Sequence, residues 1–335
     1  MGERPPPDPV DYDLVIIGCG IYGSQVARTY LSIRPGRRVA IFESSKTIGS
    51  VWSRERVYED FWTQVPLSIL EFSDHPMQDV PQEDEYYGFF KAKHVTMYLE
   101  EYCRNKVFNG QPLDSRILLE APVQRIYKDG GFWFIKAAKS GLPTLRCPKV
   151  PDLPNLSQFQ GTIIHHKDFA LLETCEILEQ PKGIVVIGGA KSAADVVYSR
   201  AKAGHRVTWL IRKSASGPAY FISAKGMVGS QNSKATLYTK LTSLFFGSIF
   251  AAQMGFNRIS RWINTSEIGV AVLRKTWQDF NARALAEADY DRADGKENGF
   301  FNLKPDTEFF WQNDSTGIDQ RPDFLDLIAR DTTVV

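Results

Sequence analysis

The chain has 335 residues, 43% hydrophobic and 24% charged, with Lys+Arg 40 against Asp+Glu 39 and a formal net charge of +1. This is ordinary globular composition. It excludes wholesale disorder, collagen and coiled coil, and the absence of a global basic field excludes a nucleic-acid binder acting by broad phosphate neutralisation. The length suggests two domains at about 150 residues each. The cysteines (Cys19, Cys103, Cys147, Cys175) form no CxxC pair and the histidines no HExxH spacing. Structural zinc, a disulfide scaffold and a metal site are therefore not expected, and a reducing, cytoplasmic compartment is.

In chain order, residues 1–13 are polar and proline-rich and read as a lead-in rather than a secretory signal. Asp13-Leu14-Val15-Ile16-Ile17 carries an apolar run rich in β-branched residues, the pattern of a buried parallel strand. The turn Gly18-Cys19-Gly20-Ile21-Tyr22-Gly23, a helix to about Ile33 and a second strand, Arg38–Glu43, follow. Lys93–Val107 has apolar residues at helical spacing, and Val123–Lys128 with Phe132–Ala137 flank Asp129-Gly130-Gly131, a hairpin signal. Residues 141–161 hold four prolines and read as a linker. The first pattern then returns: strand Gly183–Ile187, turn Gly188-Gly189-Ala190-Lys191-Ser192-Ala193, helix to Ala203, strand Arg206–Arg212. Beyond Arg212 strand character is lost, and Ile268–Ala288 reads as a helix. The stretch 241–257 is uncharged but diluted by polar residues, short of the roughly 20 strongly apolar residues that a span requires. It reads as a buried or cleft-lining segment. The second reading is an interfacial membrane contact, with peripheral localisation.

Two βαβ units predict an α/β fold with two Rossmann-like dinucleotide-binding domains and parallel sheets. In GxGxxG the first glycine permits the turn, the second lets the backbone approach a pyrophosphate and the third lets helix pack on strand. The pyrophosphate then lies at the positive end of the helix dipole. Gly18, Gly20 and Gly23 fill these places, and Glu43, about twenty residues on, can accept hydrogen bonds from ribose hydroxyls. The second turn has Gly188 but carries Ala190 and Ala193 at the other glycine positions, where a positive φ would be strained. Its second strand ends in Arg212-Lys213, which can hold a 2′-phosphate that a carboxylate would repel; a solvated strand end is the other reading. The first site thus suits FAD or NAD and the second NADPH, which implies hydride traffic to a flavin. With no cysteine pair as acceptor, reduced flavin meets oxygen.

Between the two turns, Phe159-Gln160-Gly161-Thr162-Ile163-Ile164-His165-His166-Lys167-Asp168-Phe169 resembles FxGxxxHxxx(Y/F), the identifying motif of flavin-containing and N-hydroxylating monooxygenases. Ile48-Gly49-Ser50-Val51-Trp52 resembles the family's GGxW segment, and Phe72-Ser73-Asp74-His75-Pro76 its FSDFP segment. The ordered set spans about residues 13 to 213, and Gly217-Pro218-Ala219-Tyr220 is similar to the fungal branch, for which secondary metabolism is a setting. The resemblance implies an FAD- and NADPH-dependent monooxygenase inserting one oxygen atom from O2 into a small organic substrate through a C4a-(hydro)peroxyflavin. It implies FAD roles for Gly18, Gly20, Gly23 and Glu43, with Trp52 along the flavin. It implies NADPH roles for Gly188, Ser192 and Arg212. Gln64, after Thr63, falls where relatives have an asparagine whose amide faces the flavin, and is one methylene longer. His165 is the motif histidine, either orienting a linker or touching the chemistry. Phe169-Ala170 favours heteroatom oxygenation over the Baeyer–Villiger type.

On this resemblance the expected domains are 10–150 (FAD), 151–180 (linker with the motif) and 181–335 (NADPH, with a helical insertion). The family's strand ending in Ala-Thr-Gly is missing from Lys139–Pro148. The FAD domain also reads as incomplete, with Asp319–Val335 resembling the run-up to a return into it. A nucleotide-binding remnant without turnover, and an NADPH oxidase that makes only peroxide, are the alternatives.

Overall fold

The structure is a computed structural model that describes residues 12–138, 153–173, 183–212, 217–226, 258–309, 317–319 and 321–335. The chain forms two compact units, Met1–Glu59 with Ala92–Thr174 and Asp60–Lys91 with Cys175–Val335.

In the first unit β1 (Leu14–Ile17) and α1 (Ile21–Ile33) lead into β2 (Val39–Phe42). α1 turns Ser24, Ala27 and Leu31 inward at helical spacing, while Val39, Ala40 and Ile41 are buried on both faces of β2. Complete burial of a side chain such as Leu31 or Ile41 contributes ~1.5–3 kcal/mol. α2 (Lys93–Asn105) buries Tyr98, Leu99, Tyr102 and Cys103. β3 (Ile117–Leu118) completes a parallel sheet of order β1-β2-β3. The predicted hairpin is present as β4 (Val123–Asp129) and β5 (Phe132–Ala137). Its two-residue turn has Gly130 at φ +53° and Gly131 at φ +87°, the positive pair that a twist-compatible hairpin turn requires.

In the second unit β6 (Gly183–Ile187), α3 (Lys191–Lys202) and β7 (Arg206–Leu210) repeat the arrangement. The strands predicted to be absent beyond Arg212 are present: β8 (Phe221–Ser223), β9 (Gly317–Asp319) and β10 (Thr332–Val334). Each has three residues, too few to show a period in sequence. The helix predicted at 268–288 is α4 (Glu267–Ala288), capped by Ser266 Oγ, which accepts the Gly269 N–H at 3.1 Å. α5 (Phe324–Asp331) leads into β10, which pairs in parallel with β7 to give the order β6-β7-β10. Within the run Asp319–Val335, β10 thus forms the edge of the second sheet. The core gathers around Trp209, fully buried among Val197, Tyr198, Phe221, Phe324 and Ile328. The protein is thus α/β, with two three-stranded parallel sheets and a parallel β8-β9 pair among the described residues. The expectations on 241–257 and on most of the 141–161 linker lie outside the described residues. Among the described residues no helix is long and apolar enough to cross a membrane.

Candidate cofactor sites at the two glycine turns

The first turn joins β1 to α1 with Gly18 at φ +96°, a conformation costly for any residue with a Cβ. Gly23 faces a stricter demand: a Cβ there would lie 2.0 Å from the Gly18 carbonyl oxygen. Gly20 caps α1 without a side-chain hydrogen bond, and the first turn of the helix has no acidic residue. The amides of that turn are the kind of donors an anion takes up. Gly18, Gly20, Gly23 and Trp52 line one cavity of about 360 Å³, together with Gly49, Ser50 and Val51. Gly49 N–H donates to Cys19 O at 2.9 Å, and Thr96 Oγ1 on α2 donates to Trp52 O at 2.6 Å, so the wall bearing Trp52 is fixed to both turn and helix.

Glu43 is buried, 4% exposed. Its carboxylate accepts the Cys19 N–H at 2.7 Å and the Ser45 N–H at 2.9 Å, so it braces the turn from the end of β2. Nothing in the sequence pattern announces this bond. Cys19 has its thiol pushed well up, first by a hydrogen bond with Cys103 and then by burial. A neutral thiol adds no charge that would repel a phosphate at the turn.

At the second turn Gly188 has φ +137°, and the strain expected of the alanines is absent. Ala190 has φ −99° and ψ 177°, close to Gly20 at φ −83° and ψ −172° in the same role. The second glycine position is extended backbone in both turns, a conformation any residue adopts, although in the first turn a Cβ on Gly20 would lie 3.0 Å from Ser50 Cβ. A Cβ on Gly188 would lie 3.6 Å from Ala193 Cβ, so this turn leaves room for the methyl that Gly23 must omit. Ala190 caps α3 without a side-chain bond, and no acid occupies its first turn. Ser192 in that first turn and Arg212 beyond β7 are both exposed.

The structure therefore brings Gly18, Gly20, Gly23 and Trp52 to one cavity, with Glu43 bonded to the turn; Gly188, Ser192 and Arg212 all belong to the second unit. Gln64 also belongs to the second unit, in a bend after Thr63, whose N–H donates to Phe90 O at 2.8 Å and whose Oγ1 accepts the Phe90 N–H at 3.2 Å. His165 Nδ1 accepts the Lys167 N–H at 3.3 Å and caps a short turn, an orienting contact. The adjacent His166 is held below its ordinary pKa, first by burial and then by the charges of His165 and Lys167. Sequence reasoning passed over Lys191, Asp195 and Arg321. Lys191 Nζ donates to Trp62 O at 3.2 Å and pairs with Asp195, which accepts from Arg321 Nη1 at 3.2 Å. Only the Lys191/Asp195 spacing of four was visible in advance.

No protein-family model matches the chain. It is 29% identical over 339 residues to the FAD-dependent monooxygenase DEP4 of Fusarium langsethiae, covering 96% of this chain and 56% of that protein. It is 32% identical over 258 residues to the FAD-dependent monooxygenase resA of Aspergillus sclerotiorum, covering 71% of this chain and 44% of that protein. The chain thus spans about half the length of the curated relatives it matches. Among solved structures, cyclohexanone monooxygenase from Rhodococcus sp. Phi1, bound to NADP+, matches with a TM-score of 0.61 at 16% identity, covering 97% of this chain and 64% of that one. At that identity the likeness is one of fold. With the fingerprint turns in place and the fungal relatives matching most of its length, the chain belongs to the FAD-dependent, flavin-containing monooxygenase family, on its fungal side.

Proposed function

We propose that the chain binds FAD at the first turn and NADPH at the second, and that it oxygenates a small organic substrate with O2. The observation that carries this reading is the first cavity: three fingerprint glycines and Trp52 face one space at a helix N-terminus that has neither a side-chain cap nor an acid. The fit to a dinucleotide is tested by Gly23, where no side chain can stand without displacing the turn. Gly18, Gly20 and Gly23 would admit the pyrophosphate to the amides of α1. Glu43 would brace the turn and keep carboxylate lone pairs for a ribose hydroxyl, and Trp52 would cover the flavin side and exclude water. When bound, the flavin supplies hydride acceptance from the nicotinamide and activation of oxygen.

At the second turn, the amides of α3 would take the NADPH pyrophosphate, Ser192 would add a hydroxyl, and Arg212 would pair with the 2′-phosphate. Gln64 would present an amide, donor and acceptor together, to the flavin. The substrate fits the class of small organic nucleophiles oxygenated at a heteroatom, on the strength of Phe169-Ala170 in the motif.

Purified protein reconstituted with excess FAD tests the reading. It should retain a flavin spectrum, bleach on addition of NADPH without oxygen, and regain colour on admission of air, with NADH slower at equal concentration. Failure to retain flavin overturns it. NADPH consumption with peroxide as sole product, across a panel of amine and sulfide substrates, overturns the oxygenation step.

A further inference from the structure

Gln64 follows a short segment, Asp60–Thr63, that one face of α3 grips. Lys191, Asp195, Tyr198 and Lys202 recur at spacings of four, three and four, a single stripe along the helix. Lys191 Nζ donates to the Trp62 carbonyl at 3.2 Å and pairs with Asp195. Lys202 Nζ reaches Asp60 Oδ1 at 3.1 Å. Arg321 binds the same stripe: it donates to Asp195 Oδ1 through Nη1 at 3.2 Å and Nη2 at 3.3 Å, lies 4.3 Å from the Tyr198 ring centroid, and donates to the Asp60 carbonyl. Asp195 and Arg321 have side chains only 2% and 3% exposed. Buried charges on this scale persist when each satisfies the other, and removing one partner leaves the other uncompensated.

Lys191 stands inside the second glycine turn, yet its ammonium is turned back onto Asp195 and the Trp62 carbonyl. We propose that Lys191 and Asp195, with Arg321, are positioning residues that fix the Asp60–Gln64 segment to the helix that begins at the nucleotide turn, and so set where the Gln64 amide stands. The part Gln64 plays rests on the function proposed above; the clamp itself does not. The hydrogen bonds to the segment are made to its main-chain carbonyls or to Asp60, with the Phe61 and Trp62 rings beside Lys191 and Arg321, so the geometry held includes that of the backbone from which Gln64 projects. Lys191 is the member to perturb, because its side chain is 16% exposed and methionine keeps most of its stem.

The test is hydrogen–deuterium exchange of the amides of residues 60–65 in the full chain, compared for the native protein, Lys191→Met, Lys191→Arg and Asp195→Asn. Loss of one charge-assisted bond should quicken exchange in this segment about tenfold or more in Lys191→Met. Lys191→Arg should restore it towards the native rate, with the midpoint of thermal unfolding little changed in both. In flavin-loaded protein, Lys191→Met should also raise the peroxide released per NADPH consumed. A Lys191 that serves only the nucleotide would instead raise KM for NADPH and leave exchange at 60–65 as it was, and that result overturns the proposal. So does exchange within about twofold of native in both Lys191→Met and Asp195→Asn. If the native protein retains no flavin, the functional reading fails while the exchange comparison still decides the clamp.

Discussion

Gly23→Ala is the sharpest probe of the first turn. The added Cβ would stand 2.0 Å from the Gly18 carbonyl oxygen and 3.1 Å from its carbon. A carbon–oxygen contact settles at about 3.3 Å, so the turn or the start of α1 has to move by about 1.3 Å. The turn is poorly placed to yield. Gly18 N–H is bonded to Phe42 O at 2.8 Å, Cys19 N–H to Glu43 Oε2 at 2.7 Å, and Cys19 O accepts Gly49 N–H at 2.9 Å. Overpacking of this kind costs ~1–3 kcal/mol, and more where the obstacle is backbone. If the flavin binds only the undisplaced turn, that cost appears in its affinity as a loss of roughly tenfold for each ~1.4 kcal/mol. Titration of FAD against protein fluorescence should therefore show Gly23→Ala weaker by about ten- to a hundredfold, with a lowered unfolding temperature in apoprotein. Ala193→Gly is the control at the equivalent place of the second turn, where a methyl is already accommodated. It should cost only the ~0.5–1 kcal/mol of a helical glycine. Native FAD affinity and native stability in Gly23→Ala would refute the close-approach argument.

Arg212→Ser should erode the preference for NADPH over NADH by about tenfold, the scale of one charge-assisted bond to an exposed side chain; equal ratios in steady-state NADPH and NADH oxidation would exclude a 2′-phosphate contact. Trp209→Ala removes the fully buried centre of the second core and should destabilise by ~3–5 kcal/mol, read as the chemical-denaturation midpoint; a loss under ~1 kcal/mol would mean that the core packs without it. His166 is held below its ordinary value by burial, then by His165 and Lys167. The neutral form therefore favours the fold, its contribution is present above the unfolded pKa of about 6.5, and it is lost as pH falls through the lower folded value. The unfolding temperature should drop less between pH 7.5 and 5.5, on the order of this titration, in His166→Asn than in the native protein, and equal slopes would rule His166 out.

What could be read in the sequence was whatever is carried by a local constraint. Gly18 and Gly23 are legible because a positive φ and a 2.0 Å approach leave glycine no substitute, and the hairpin because Gly130-Gly131 supplies two positive φ values in succession. α4 is legible through helical propensity and periodicity over Ile268–Ala288. What escaped was set by residues far apart in sequence. β3 is two residues long and β10 three, and each has strand character only because β2 or β7 offers it hydrogen bonds. The φ at Ala190 was not legible from the fingerprint; that position is extended in both turns, so the strain of a positive φ does not arise. Arg321 lies 126 residues from Asp195 and shares no motif with it. The contrast has a physical consequence. The turns that would receive the cofactors are specified by backbone geometry, which one glycine can encode. The placement of Gln64 depends instead on a buried charge cluster assembled from three separate stretches of chain, and such a cluster can change between relatives without disturbing either fingerprint. Two chains can therefore share both glycine turns and still differ in how the amide segment is held.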